Sequence, residues 1–256
     1  VGATLGDGVR IGPGCQVSSR AVIGRGTTLD ANVVILGDVE IGEGNRLHAG
    51  CVVGGEPQDF SYRGGRTRVV IGHRNVIREG VTINRGTEKE DGETVVGSDC
   101  LLMACSHVAH DCRVGDRVTL ANGVLLGGHV RVHSHASLSG CVAVHHWATI
   151  GTCAFVAGLS RVLHDVPPFM LCDGSPARAR CINTVGLRRR GYSREDIDAL
   201  SEVYRLLYRA RVGLEPAREL LEAKGLLLPS VGEVLDFLES QKRGVKGRAR
   251  ERRRVA

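Results

Sequence analysis

From Leu5 onward an aliphatic residue stands at every sixth position: Ile11, Val17, Ile23, Leu29, Ile35, Ile41, Leu47 and Val53. The register returns at Ile71, Ile77 and Ile83. After a second break it runs from Val96 through Leu102, Val108, Val114, Leu120, Leu126, Val132, Leu138, Val144, Ile150 and Val156 to Val162. Four residues after each aliphatic there is usually a small one, as at Ala21, Thr27, Ser106, Ala136, Ala148 and Ser160. Glycine often follows the aliphatic directly, as in "IGPG", "IGRG" and "IGEG". Such an internal repeat predicts a triangular parallel β-helix. Each hexad makes one short flat face, the aliphatic fills the prism, the small residue sits near the tight corner, and the glycines permit a positive-φ turn. Three hexads form a coil of 18 residues, so 24 intact hexads predict eight coils, stacked at a strand spacing of about 4.8 Å.

The β-helix is expected over residues 1–168, with loops leaving it at 54–70, "GGEPQDFSYRGGRTRVV", and at 88–94. Loops that leave a prism do not stabilise it and usually cover a ligand or a neighbour. The repeat is expected to end at "DVPPF", where Pro167 and Pro168 cannot continue a ladder. A C-terminal helical domain is expected over 169–243. In it Ser193 and Asp196 form a capping pair, "EPARELLEAKG" a helix ending at Gly225, and Ser230 with Glu233 opens "SVGEVLDFLESQ".

Charge alters little in this picture. The net charge is +6, but the segment from Lys242 to Ala256 holds eight Lys/Arg against one Glu, leaving the body near −1. Residues 244–256 are therefore expected to be a basic, disordered extension rather than a specific nucleic-acid reader. Aromatics at 4% and 35 glycines suit a narrow interior filled by small branched residues. No apolar run is long enough for a transmembrane helix. The chain begins at Val1 without an initiator Met, so a truncated start is expected.

Chemistry concentrates in "LLMACSHVAHDCRVG", residues 101–115. Cys15, Cys51, Cys100 and Cys112 occupy the small inward slot of their hexads, where a free thiol serves as a small hydrophobe. Nine cysteines without CxxC spacing suit a reducing cytosol. The histidines fall in slots expected to face outward. His110, His129 and the pair His145/His146 form a column on consecutive coils, with His107 near the same corner. Two chemistries fit: three imidazoles converging on a metal, or a general base, His110, oriented by Asp111, with the Gly128 N–H facing an oxyanion.

"HVAHDC", "LANGVLLGGHV", "AVHHW", "DVPPF" and "GLRRRGYSRE", with "GEPQDFSY" and "NVIREGVTINRGT", resemble the UDP-N-acetylglucosamine 3-O-acyltransferases of lipid A biosynthesis. These are hexapeptide-repeat enzymes with a left-handed β-helix and a small helical domain, and the similarity spans nearly the whole chain. The resemblance implies a cytoplasmic homotrimer with active sites between prisms. It implies transfer of a 3-hydroxyacyl group from the 4′-phosphopantetheine of acyl carrier protein to a UDP-sugar, without a metal or other cofactor. Carried over, His110 is the base, Asp111 its partner and Gly128 the oxyanion donor. Asp59, Arg85, His107, His129, His145, Asn183 and Arg189 contact substrate, and Gly158 sits where acyl length is limited. The basic tail and "RLLYRARVG" are expected to help dock the acidic carrier protein.

Three positions depart from the family. Ser61 stands for a lysine, Asn84 for a histidine and Val185 for an acidic residue. All three bear on the acceptor, which leaves a 3-amino UDP-sugar as an alternative giving an amide. A γ-carbonic-anhydrase-like metalloprotein shares fold and trimer but pairs histidines five apart on one coil, unlike this sequence. A non-catalytic scaffold would have no need of His110, Asp111 and Gly128 together.

Overall fold

The computed structural model describes residues 2–245 and 247–252. Among the described residues, twenty-four short parallel strands make a three-sided, left-handed β-helix, and each sixth-position aliphatic ends one strand except Val53 and Ile83, which lie just before the end. The first sheet runs from Thr4–Leu5 to Thr149–Ile150, the second starts at Arg10–Ile11 and the third at Gln16–Val17. Register between coils is one to one, so like residues stack. Ile23, Ile41, Ile71, Val96, Val114, Val132 and Ile150 form one interior row. Leu29, Leu47, Ile77, Leu102, Leu120, Leu138 and Val156 form the second. Nearly all of these side chains are fully buried. The prism is a dry aliphatic stack, and its outer faces carry the polar chemistry.

The glycines that follow the aliphatics have a different cause from the expected one. Gly24 is not in the left-handed region; a Cβ there would lie 2.6 Å from the Gly42 carbonyl carbon of the next coil. These glycines let coils approach. Left-handed φ falls two residues later, and non-glycine residues hold it at Asp111, His129 and Trp147. The inward small slot also does more than save space. Asn45 donates to the Gly42 and Gly72 carbonyls and Asn75 to that of Gly97. The thiols of Cys100 and Cys112 donate to Gly115 and Gly127. Burial pushes Cys51 and Cys112 up to about 12 and Cys100 to about 11. Such thiols are poor nucleophiles.

The strands flank loops at 56–67 and 85–92. The ladder outlasts the prolines, contrary to expectation: Met170–Gly174 pairs in parallel with Phe155–Val156 and antiparallel with Ala177–Ile182. The second sheet thus has ten strands, and the helical part begins only at Thr184. Its helices are α1 (Thr184–Arg189), α2 (Arg194–Tyr204), α3 (Leu214–Ala223) and α4 (Pro229–Lys242). Ser193 and Asp196 form the expected capping box of α2. Ser230 does not cap α4, because its hydroxyl donates to Asp196 and ties α4 to α2. Residues 244–256 were expected to be disordered, yet Gly247 to Glu251 pack on the prism. A short helix α5 (Ala249–Arg252) closes this segment. No described helix is long and apolar enough to cross a membrane.

Candidate active site

The strand His107–Val108 ends at a prism corner, and the chain turns there through His110 and Asp111 into Arg113–Val114 of the first sheet. Because each coil repeats after 18 residues, His129 and Trp147 occupy the Asp111 slot on the next two coils. His129 stacks on Trp147 with ring centroids 3.8 Å apart, and His110 meets His129 edge-on at 5.1 Å. The ladder holds them in line: His129 N–H donates to the His110 carbonyl and Trp147 N–H to that of Gly128, both at 3.0 Å.

His110 Nδ1 lies 2.8 Å from Asp111 Oδ2. Asp111 is buried, and Thr87 of the second loop reaches it twice, N–H to Oδ1 at 2.8 Å and Oγ1 to Oδ2 at 2.6 Å. Burial opposes its charge, but the bonds from His110 and Thr87 outweigh that and hold its carboxyl below the ordinary range. An ionised carboxylate only accepts, so the shared proton sits on Nδ1 and the Nε2 lone pair is left for chemistry. Nε2 points to the Gly128 backbone and to Asp59, whose Oδ2 is 3.9 Å away. A Cβ at Gly128 would sit 2.6 Å from Nε2, so only glycine admits this ring position.

Asp59, from the first loop, accepts from Lys89 Nζ at 2.6 Å and Ser61 Oγ at 2.8 Å. Burial opposes its charge as well, yet Lys89 and Ser61 hold it well below the usual carboxylate range. Lys89 thus places an ammonium beside Asp59, close to where Ser61 lacks one. His107 is half-buried and bonds Thr82 Oγ1 through Nδ1 at 2.7 Å. His145 lies against His146 farther along the corner, with ring centroids 3.8 Å apart and the planes tilted by 41°. Both imidazoles of the core, His110 and His129, face the same Asp111 oxygen, at 2.8 and 3.6 Å. Asp111 thus accepts from Thr87 and is shared by both rings; the three ligand atoms lie close enough together to hold a metal ion, and the same contacts suit a carboxylate that orients a base.

His129 points out of the prism as expected, yet it is 3% exposed, covered by Glu90 of the second loop, 3.4 Å from its Nδ1, and by Arg250. The other predicted residues are not all brought to His110. Arg85 pins the first loop, bonding the Gly54 carbonyl and Glu56, and lines a small cavity with Tyr62. Asn183 and Arg189 line a cavity of about 890 Å³ against the second sheet, with Arg117 and His135. The Asn183 side chain is buried, accepting from Gly186 N–H to cap α1 and donating to the Cys153 carbonyl. Gly158 is exposed at another corner, where a Cβ would meet the Gly140 carbonyl at 3.4 Å and Ser139 Oγ at 3.6 Å.

Glu90, Lys89, Trp147 and Arg250 were not singled out in the sequence. Trp147 could have been, since it lies one coil from His129 in the same slot. The other three lie off the repeat and carry no periodic signal.

The family model for UDP N-acetylglucosamine O-acyltransferase, domain 2, matches residues 165–246. The bacterial transferase hexapeptide model matches 2–35, 20–55 and 93–128. The structure is similar to the UDP-N-acetylglucosamine acyltransferase of Francisella novicida at 37% identity and TM-score 0.86, covering 91% of this chain and 86% of that one. LpxA of Acinetobacter baumannii matches at 36% identity and TM-score 0.89, covering 93% of each chain. LpxA of Bacteroides fragilis matches at 34% and 0.90, covering 93% of this chain and 92% of that one. The chain belongs to the UDP-N-acetylglucosamine acyltransferase family. Membership of this family sets the γ-carbonic-anhydrase-like and scaffold readings aside.

One stability prediction arises from the site. Burial, with the neighbouring His110 charge, holds His107 below its ordinary value of 6.5. Below about pH 6.5 the unfolded chain binds a proton that folded His107 refuses, so stability falls with pH until the lowered folded value is reached. Melting temperature is expected to drop between about pH 7 and pH 5, and His107→Gln to drop less. Parallel curves for the two proteins would contradict this.

Proposed function

We propose that this protein transfers a 3-hydroxyacyl chain from acyl carrier protein to the 3-hydroxyl of UDP-N-acetylglucosamine, opening lipid A biosynthesis in the cytoplasm. The observation that carries the reading is the 2.8 Å His110–Asp111 pair, with Nε2 left toward Asp59. The sugar hydroxyl gives its proton to Nε2 as its oxygen attacks the thioester carbon. The carbonyl oxygen becomes an oxyanion facing the Gly128 N–H, and the C–S bond then breaks with return of the proton to the leaving thiolate. Asp59, with Lys89 and Ser61, holds the glucosamine ring. His107 and His145 contact the donor side, and Gly158 leaves room for a longer acyl chain. His129, buried, acts through Asp111 rather than by contact. No cofactor beyond the carrier's phosphopantetheine is needed.

Asn183, Arg189 and the cavity they line lie on a different sheet from His110. A homotrimer, in which a second copy presents that cavity to this corner, reconciles them, and a guanidinium fork suits the nucleotide phosphates. Ser61, Asn84 and Val185 favour testing a 3-amino acceptor beside the hydroxyl one. Asn84 Nδ2 donates to the Glu56 carbonyl, while its buried Oδ1 accepts from no described group.

The test is transfer from 3-hydroxyacyl carrier proteins of several lengths to UDP-N-acetylglucosamine and its 3-amino analogue. Ester formation is expected, with the longer chains accepted. A folded trimer that acylates neither sugar would sink the reading.

A further inference from the structure

The geometry points to Arg250 as a positioning residue of the acyl transfer, delivered to the catalytic corner by a docked C-terminal strap. This rests on the proposed function for its chemistry, though not for its contacts. The slot holding Asp111, His129 and Trp147 continues to Asp165 one coil further. The strap descends this same corner. Asp165 accepts from Gln241 Nε2 at 2.6 Å and from Arg248 N–H at 3.2 Å, and Arg248 Nη1 donates to the Leu163 carbonyl at 2.9 Å. Gly247 makes the turn at φ +67 against the Asp165 carboxylate, where any Cβ would collide.

One coil below, Arg250 reaches the site. Its Nη2 donates to the carbonyls of His129 at 2.9 Å and Trp147 at 3.2 Å, and its guanidinium lies over the Trp147 ring at 5.0 Å. Nη1 stands 3.6 Å from Glu90 Oε1, and the Arg250 side chain is 10% exposed. Its neighbour Glu251 bonds His146 Nε2 at 2.6 Å. The planar fork therefore clamps two consecutive corner carbonyls and the second loop at once, a task for which lysine lacks the geometry.

A chain of contacts then leads to the base. Arg250 holds Glu90; Glu90 faces His129; His129 lies 3.6 Å from the Asp111 oxygen that orients His110. Two imidazoles share that oxygen, so the charge around His129 decides how fully Asp111 serves His110. The groups that bear on this centre are His107, Asp59 and Lys89 on the sugar side, Glu88 and Glu90 from the second loop, Arg131 from the first sheet and Arg250 from the strap. Among these only Arg250 comes from outside the prism and its loops. Loss of its charge leaves the corner more negative, so protons are held there to higher pH.

The experiment compares wild type, Arg250→Ala, Arg250→Lys and Gly247→Ala as full-length protein. Three readouts are taken: steady-state transfer across pH, melting temperature, and per-histidine acylation by diethyl pyrocarbonate mapped by mass spectrometry. For Arg250→Ala, kcat is expected to fall about tenfold with KM for the sugar little changed. The acidic limb of kcat/KM should move up by about half a pH unit. Arg250→Lys should restore the limb in part but not the full rate. His129 should label several-fold faster in Arg250→Ala and in Gly247→Ala, which undocks the strap without touching the guanidinium, while His48 at a different corner is unchanged. Wild-type rates and limbs in Arg250→Ala and Gly247→Ala would overturn the assignment. So would faster turnover, which would make the strap an inhibitor, or a lower melting temperature with an unmoved limb. If wild type transfers no acyl group, the functional reading has failed, and unchanged His129 labelling in the variants would separately refute the docked strap.

Discussion

His110→Ala is expected to lower kcat/KM for acyl transfer by about 10²- to 10⁴-fold, the usual range for loss of a general base. KM for the nucleotide sugar should change little, because in the proposed mechanism the imidazole acts on a proton in transit and Asp59 and its partners hold the ring. Asp111→Asn should also be severely impaired. An amide can offer its N–H to Nδ1, which would put the proton on Nε2 and remove the lone pair that the mechanism needs. Gly128→Ala tests the same geometry by a different route, since its Cβ would sit 2.6 Å from Nε2 and displace the ring. Steady-state rates on variants whose melting temperature matches wild type check all three. A His110→Ala enzyme keeping more than a tenth of its rate would remove His110 from the base role.

How far the sequence revealed this site depends on where each residue sits relative to the six-residue period. The repeat located the interior aliphatics at every sixth position, because successive hexads point the same slot into a narrow prism, while the second inward slot also holds buried valines such as Val33, Val118 and Val130. It brought His110, Asp111 and Gly128 to one corner, since neighbouring coils superpose at 18 residues. It misjudged His129, because outward from a prism does not mean exposed when a loop and a strap lie over the corner. Glu90, Lys89 and Arg250 were invisible for the same reason: loop and terminal residues are positioned by tertiary contacts, not by a repeat. Arg250 was hidden further by composition, one arginine among eight basic residues in a segment read as solvated. Its selectivity comes from Gly247 and Asp165, and no charge count reports that.

Stability should follow the one-dimensional build of the prism. Leu102→Ala is expected to destabilise the fold by about 2–5 kcal/mol, whereas Leu5→Ala should cost less than about 1 kcal/mol. The substitution is chemically identical. Leu102 is fully buried between Ile77 and Leu120 on the neighbouring coils, while Leu5 is 48% exposed at the first coil. Close packing keeps the stack above and below Leu102 from collapsing into the space, so a cavity remains and both interfaces lose contacts. The lesion lies one hexad from His110, so partial loosening there should reduce activity before global unfolding begins. Denaturant melts at two wavelengths, one following the β-helix and one the lone Trp147, would resolve the two effects. Equal destabilisation by the two variants would mean that the coils do not act as separable layers.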